Sequence, residues 1–133
     1  MKTTFFSLVF LLLTCSAFSQ TDKHMKDLDP AFVHNVYFWL KNPDSEDDQK
    51  IFEKALKKFL KKSKYAKTLY IGKAPKATRD VVDDSFTYAL IVSFKSAKAQ
   101  EKYQEEKPHL VFIEEASELW NKVIVYDSQG IKL

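Results

Sequence analysis

Phe32-Val33-His34-Asn35-Val36-Tyr37-Phe38-Trp39-Leu40 is the stretch on which the fold turns. It is rich in β-branched and aromatic residues, which predicts a strand. Successive side chains of a strand point to opposite faces. The even positions place Phe32, His34, Val36, Phe38 and Leu40 together, and the odd ones Val33, Asn35, Tyr37 and Trp39. Both sets are largely apolar. A strand with one solvated face would alternate apolar with polar residues, so both faces of this one ask for cover.

Working outward, two more strands read the same way. Phe86 to Phe94 puts Phe86, Tyr88, Leu90, Val92 and Phe94 on one face, and Thr87, Ala89, Ile91 and Ser93 on the other. Trp120 to Tyr126 is apolar on both sides, and Asp127-Ser128-Gln129-Gly130 ends it. A shorter strand, Thr68 to Ile71, stops at Gly72.

Between the first two strands, Asn42-Pro43-Asp44 signals a turn. Ser45 reads as a helix N-cap with Asp48 at the capping-box position, and Glu46, Asp47 and Asp48 complement the helix dipole rather than a metal. The spacing of Ile51, Phe52, Ala55, Leu56, Phe59 and Leu60 predicts one buried stripe on a helix running to about Lys62. Lys54, Lys57, Lys58, Lys61 and Lys62 fall elsewhere on it and read as a solvated outer face, not a surface lying on a membrane. The charged loop from Lys73 to Ser85 is long enough to rim a pocket. Ser96 caps a second helix, and Leu110 to Leu119 forms a further helical segment.

Strand–helix–strand, then strand–helix–strand, is the order of a ferredoxin-like α+β sandwich: a four-stranded antiparallel sheet with its helices on one face. One helix layer covers one face. Val33, Tyr37, Trp39, Ile91, Val123 and Val125 would then stand in water, more apolar surface than a monomer usually shows. The expected solution is a second copy packed sheet against sheet, closing an α/β barrel.

Residues 1–19 read as a secretory signal peptide. Lys2 precedes an apolar run from Phe5 to Leu13, and Ala17-Phe18-Ser19 offers small residues at the cleavage positions. The run is too short to span a bilayer, which takes roughly 20 residues. Thr14 before Cys15 argues against a lipoprotein anchor. Cleavage would remove the single cysteine, and with it any disulfide, thiolate nucleophile or Cys-based metal site. Residues 20–30 form a flexible tether, 31–128 the domain and 129–133 a tail. The whole chain carries 21 Lys and Arg against 18 Asp and Glu, too even a balance for nucleic acid or stable membrane insertion to be expected. Aromatic residues make up 14% of the chain and glycines number two, which argues for a packed core and against disorder. The destination would be periplasmic or secreted.

The candidate site lies in Lys102-Tyr103-Gln104-Glu105-Glu106-Lys107-Pro108-His109-Leu110-Val111-Phe112. On an unbroken helix, residues six apart point about 240° from each other. Pro108 disfavours a helical conformation at Lys107, so the chain should turn there and a second helix start near His109. Tyr103 and His109 could then face one pocket with His34, walled by Val36, Phe86, Tyr88 and Phe112. Burial and a helix N-terminus would keep His109 neutral. The plainer reading is a helix that stops at a proline, with structural histidines.

His34-Asn35-Val36-Tyr37-Phe38, the Tyr103–His109 stretch, Phe112 and Val125-Tyr126-Asp127 together resemble the signature of the stress-responsive A/B barrel (Dabb) domain, within the dimeric α+β barrel superfamily. The resemblance covers about Phe32 to Ser128. It implies a homodimeric barrel with helices outside. In the family's branch that cyclises a polyketide to olivetolic acid, the reaction is an intramolecular aldol condensation without metal or cofactor. By that resemblance His109 matches the catalytic base, Tyr103 the residue orienting the substrate carbonyl and His34 a pocket histidine. Tyr88 and Glu106 stand where that branch has further histidines, which puts its substrate in doubt here. The expectation is thus a secreted homodimer binding a small aromatic or acyl ligand, with cofactor-free general-base chemistry by His109. The alternative is a non-catalytic stress-response or interaction module. A metal site would need His34 and His109 to converge with a carboxylate, which the spacing does not show, and no motif for a redox or haem cofactor is present.

Overall fold

The computed structural model describes residues 31–131; the expected signal peptide and tether lie outside the described residues. Strand β1 (Phe32–Leu40) leads to helix α1 (Glu46–Lys62), then β2 (Thr68–Gly72), β3 (Tyr88–Phe94), α2 (Ala97–Glu105), α3 (Lys107–Ala116), a 3-10 turn (Ser117–Leu119) and β4 (Trp120–Gln129). The sheet order is β2-β3-β1-β4, and every neighbouring pair is antiparallel. This is the ferredoxin-like arrangement.

Local chemistry fixes the helix starts. Ser45 Oγ accepts from the Asp48 N–H at 3.2 Å, and Ser96 Oγ from the Ala99 N–H at 3.2 Å. Each satisfies one of the N–H groups a helix start leaves over. The capping box is half made, because the Asp48 carboxylate turns to Asn42 Nδ2 at 2.9 Å. Of the stripe on α1, Phe52, Ala55, Leu56, Phe59 and Leu60 are buried, whereas Ile51 is 52% exposed. Phe52 packs edge-on against Phe38, ring centroids 5.1 Å apart, and against Tyr88 at 4.8 Å. Truncating such a fully buried ring costs about 3–5 kcal/mol.

Pairing register corrects two expectations about faces. Val36 lies opposite Val125, and Phe38 opposite Val123. Directly opposed residues share a face, so Val123 and Val125 belong to the helix side with His34, Val36 and Phe38. The outer face carries Ile124, opposite Tyr37, and Tyr126, opposite Asn35. An irregularity at Trp39/Leu40 sets this phase, and a strand apolar at both parities does not reveal it in sequence. In the same way, β3 begins at Tyr88, opposite Phe38. Before it the alternation lapses, and Phe86 lies against the outer-face ring of Tyr37, centroids 4.9 Å apart.

The outer face remains apolar, and no element among the described residues covers it. Ile91, Tyr37, Trp39 and Ile124 are half-buried, and Tyr70 and Tyr126 are exposed. Trp39 is held by its indole N–H to Ser85 Oγ at 3.0 Å, with Lys122 Nζ 4.1 Å above its ring. Among the described residues no helix is long and apolar enough to cross a membrane.

Candidate active site

Helix α2 ends at Glu105. The extended residue is Glu106 (φ −68°, ψ 144°), and α3 resumes at Lys107 with Pro108 in its first turn. The break thus falls one residue earlier than Pro108 alone suggests, and α3 starts before His109. A first turn suits proline, since its missing N–H would have no partner inside the helix anyway. The bend brings the Tyr103 and His109 rings to 5.4 Å, centroid to centroid. On β1, the His34 ring lies 5.9 Å from that of Tyr103. Phe59 of α1 closes the group from behind, 5.2 Å from Tyr103 and 5.2 Å from His109.

These rings line a cavity of about 300 Å³ between sheet and helices. Val36, Phe38, Leu90, Phe112 and Trp120 form its apolar wall. Ile113, Val123 and Val125 also line it and are 39%, 37% and 47% exposed, so they mark its mouth between α3 and β4. The volume stands at the small end of ligand pockets. Phe86 and Tyr88 lie away from it. Phe86 is on the outer face. Tyr88 sits under α1, where its hydroxyl donates to Glu53 Oε1 at 2.8 Å. That carboxylate also takes Lys57 at 2.8 Å and is held down to about 2 by the Lys57 and Tyr88 hydrogen bonds.

His109 Nδ1 lies 3.0 Å from the Gln104 carbonyl oxygen. A carbonyl only accepts, so Nδ1 carries the proton and Nε2 is the basic nitrogen. Burial pushes the ring below the ordinary histidine value; the Gln104 carbonyl opposes this, nearby His34 adds to it, and the Glu106 carboxylate opposes it. The Tyr103 hydroxyl is pushed up, first by burial and then by Glu106. It stays protonated and is available as a donor.

His34 is buried, and its Nδ1 meets Asp127 Oδ1 at 2.5 Å. Asp127 is a residue that sequence reasoning did not single out for the site. It reaches His34 because β4 continues to Gln129 rather than ending at Tyr126. One Glu106 oxygen accepts from the Lys64 N–H at 3.1 Å; the other is buried with no hydrogen-bond partner among the described residues. Among the described residues, no group of three His, Cys, Asp or Glu side chains could hold a metal ion.

Residues 32–129 match the profile described as the Stress responsive A/B Barrel Domain, Dabb. The chain belongs to the Dabb family. Among solved structures it is similar to a hydroxynitrile lyase from Passiflora edulis: 19% identity, TM-score 0.66, covering 78% of this chain and 97% of that one. A Dabb protein with a ferredoxin-like fold from Mesorhizobium loti gives 18% identity and a TM-score of 0.63, covering 76% and 97%. A protein of unknown function from Bacteroides fragilis, described as dimeric with a ferredoxin-like fold, gives 14% and 0.60, covering 77% and 98%. At these identities the likeness shows the Dabb fold alone. A search of the curated proteins finds no match.

Proposed function

We propose that this Dabb protein is an exported homodimer that binds a small aromatic or acyl ligand between sheet and helices, with His109 as a cofactor-free general base. The observation that carries the reading is the hydrogen bond from His109 Nδ1 to the Gln104 carbonyl, which leaves Nε2 as the basic nitrogen of a ring that lines one cavity with Tyr103. A base works best neutral at the operating pH, and burial favours the neutral ring. Nε2 would take a proton from a carbon beside a carbonyl. The Tyr103 hydroxyl would donate to that carbonyl oxygen and stabilise the enolate. The enolate carbon would then attack a second carbonyl of the same ligand, and the proton would return to the new alkoxide, as in an aldol cyclisation. That a similar fold serves a hydroxynitrile lyase supports lyase-type chemistry here.

The homodimer is supported by the uncovered outer face around Tyr37, Ile91 and Ile124, and by a relative described as dimeric. Export rests on residues 1–19. The test of the ligand is native mass spectrometry of protein purified from its own source. A consistent bound mass of small-molecule size supports the reading, and a ligand-free dimer counts against it.

One observation favours a second reading. His34 is satisfied by Asp127, as a structural histidine would be. A non-catalytic stress-response or interaction module would need no more from it.

A further inference from the structure

A second, separate slot opens between α1 and α3 on the outside of the helix layer. Its volume is about 160 Å³. Ala55, Phe59, Pro108, Val111 and Phe112 line it with apolar surface. Phe59 and Phe112 stack at 5.3 Å with only 15° between their planes, and the same pair walls the His109 cavity on its other side. A cavity of about 150 Å³ with apolar lining stays dry and accepts a benzene ring, so one six-membered ring fits the slot.

The rim is cationic. Lys58, Lys62 and Lys107 border the slot, with Glu115 as the one acid. Glu115 is neutralised by its ion pair with Lys58. Lys62 and Lys107 are exposed and have no ion pair among the described residues. Lys107 also opens α3, so the positive end of that helix dipole lies at the same rim. An apolar slot of one-ring size with two free ammonium groups at its edge is complementary to a ring bearing one negative charge.

We propose that the slot between α1 and α3 is a binding site for a monocyclic aromatic carboxylate, its ring against Phe59 and Phe112 and its carboxylate between Lys62 and Lys107. The site is distinct from the His109 cavity and does not depend on any reaction there.

The test is an NMR titration of backbone amides in the purified protein, with benzoate as probe and benzyl alcohol as its uncharged counterpart. Benzoate should shift Ala55, Lys62 and Val111 saturably, with an affinity independent of any shift at His34, Leu90 and Val125, which line only the other cavity. The double variant Lys62→Gln/Lys107→Gln should weaken benzoate about fivefold, the size expected of two exposed charge contacts, and leave benzyl alcohol unchanged. Val111→Trp should fill the slot and abolish both. Absence of saturable shifts at the slot, equal affinity for the two probes, or a double variant that holds benzoate as before would each overturn the proposal. So would shifts confined to His34, Leu90 and Val125.

Discussion

The rings of Tyr103 and His109 stand 5.4 Å apart although the two residues lie six positions apart in the chain. One extended residue, Glu106, makes this possible by splitting what would be one helix into α2 and α3. The consequence is chemical. The Gln104 carbonyl, left at the end of α2, accepts a hydrogen bond from the Nδ1–H of His109, so the same bend that aims the ring also selects its tautomer. Restoring a continuous helix there would separate the two side chains around the axis.

The His34–Asp127 pair separates the two functional readings. Asp127→Asn keeps the shape but removes the charge from a hydrogen bond to a buried ring. A loss of about 1–2 kcal/mol of stability is expected, read as a shift in the urea midpoint. If the pair is only structural, ligand retention per folded molecule will be unchanged. If it belongs to the binding cavity, the co-purified mass will be reduced or lost.

The outer face predicts the oligomer. Ile91→Glu with Ile124→Glu would place two carboxylates where a second sheet is expected to pack, and buried unpaired charge is costly. Light scattering should report monomer or aggregate. A dimer of unaltered stability would move the interface elsewhere.

Glu53 gives a pH-dependent contribution. Its folded value, about 2, lies below the ordinary 4.5 because Lys57 and Tyr88 hydrogen-bond the carboxylate. The stabilisation is therefore complete above about pH 4.5 and is lost as pH falls toward 2. The side chain is partly solvated, so the net effect is about 1 kcal/mol. Glu53→Gln should destabilise by that amount at pH 7, and the gap to the unaltered protein should narrow below about pH 4.5 and close as pH falls through about 2. A gap independent of pH would contradict the assignment.

Export predicts a mature chain beginning at Gln20 or within a residue or two of it. N-terminal sequencing of protein from its native source checks this, and a chain that retains Met1 would refute it.

Much of this fold is legible in the sequence because periodicity and caps are local. Ser45 and Ser96 announce the starts of α1 and α2, and the parity of β1 separates Val36 and Phe38 from Tyr37 and Trp39. The phase of β4 is not local. Val123, Ile124 and Val125 are apolar at both parities, so only pairing with Phe38, Tyr37 and Val36 decides which of them face the helices. Phe86 misleads for a related reason, since strand alternation holds only where the ladder holds. The Tyr103–His109 approach can be anticipated from Pro108. The Asp127–His34 contact cannot, because it joins residues 93 apart and needs β4 to run past an apparent turn signal. The slot between α1 and α3 is equally invisible, being made by stacking of Phe59 on Phe112 across two helices.

The most direct test of the central claim is a titration of the His109 ring by NMR, with its nitrogens labelled. The account predicts a neutral ring protonated on Nδ1 and an inflection below the ordinary value of about 6.5, because burial opposes the charged form. With the folded value depressed, protonation favours the unfolded chain, so this ring's contribution to stability falls as pH drops below about 6.5. An inflection at or above 6.5, or a neutral ring protonated on Nε2, would contradict the claim that the fold holds His109 as a general base.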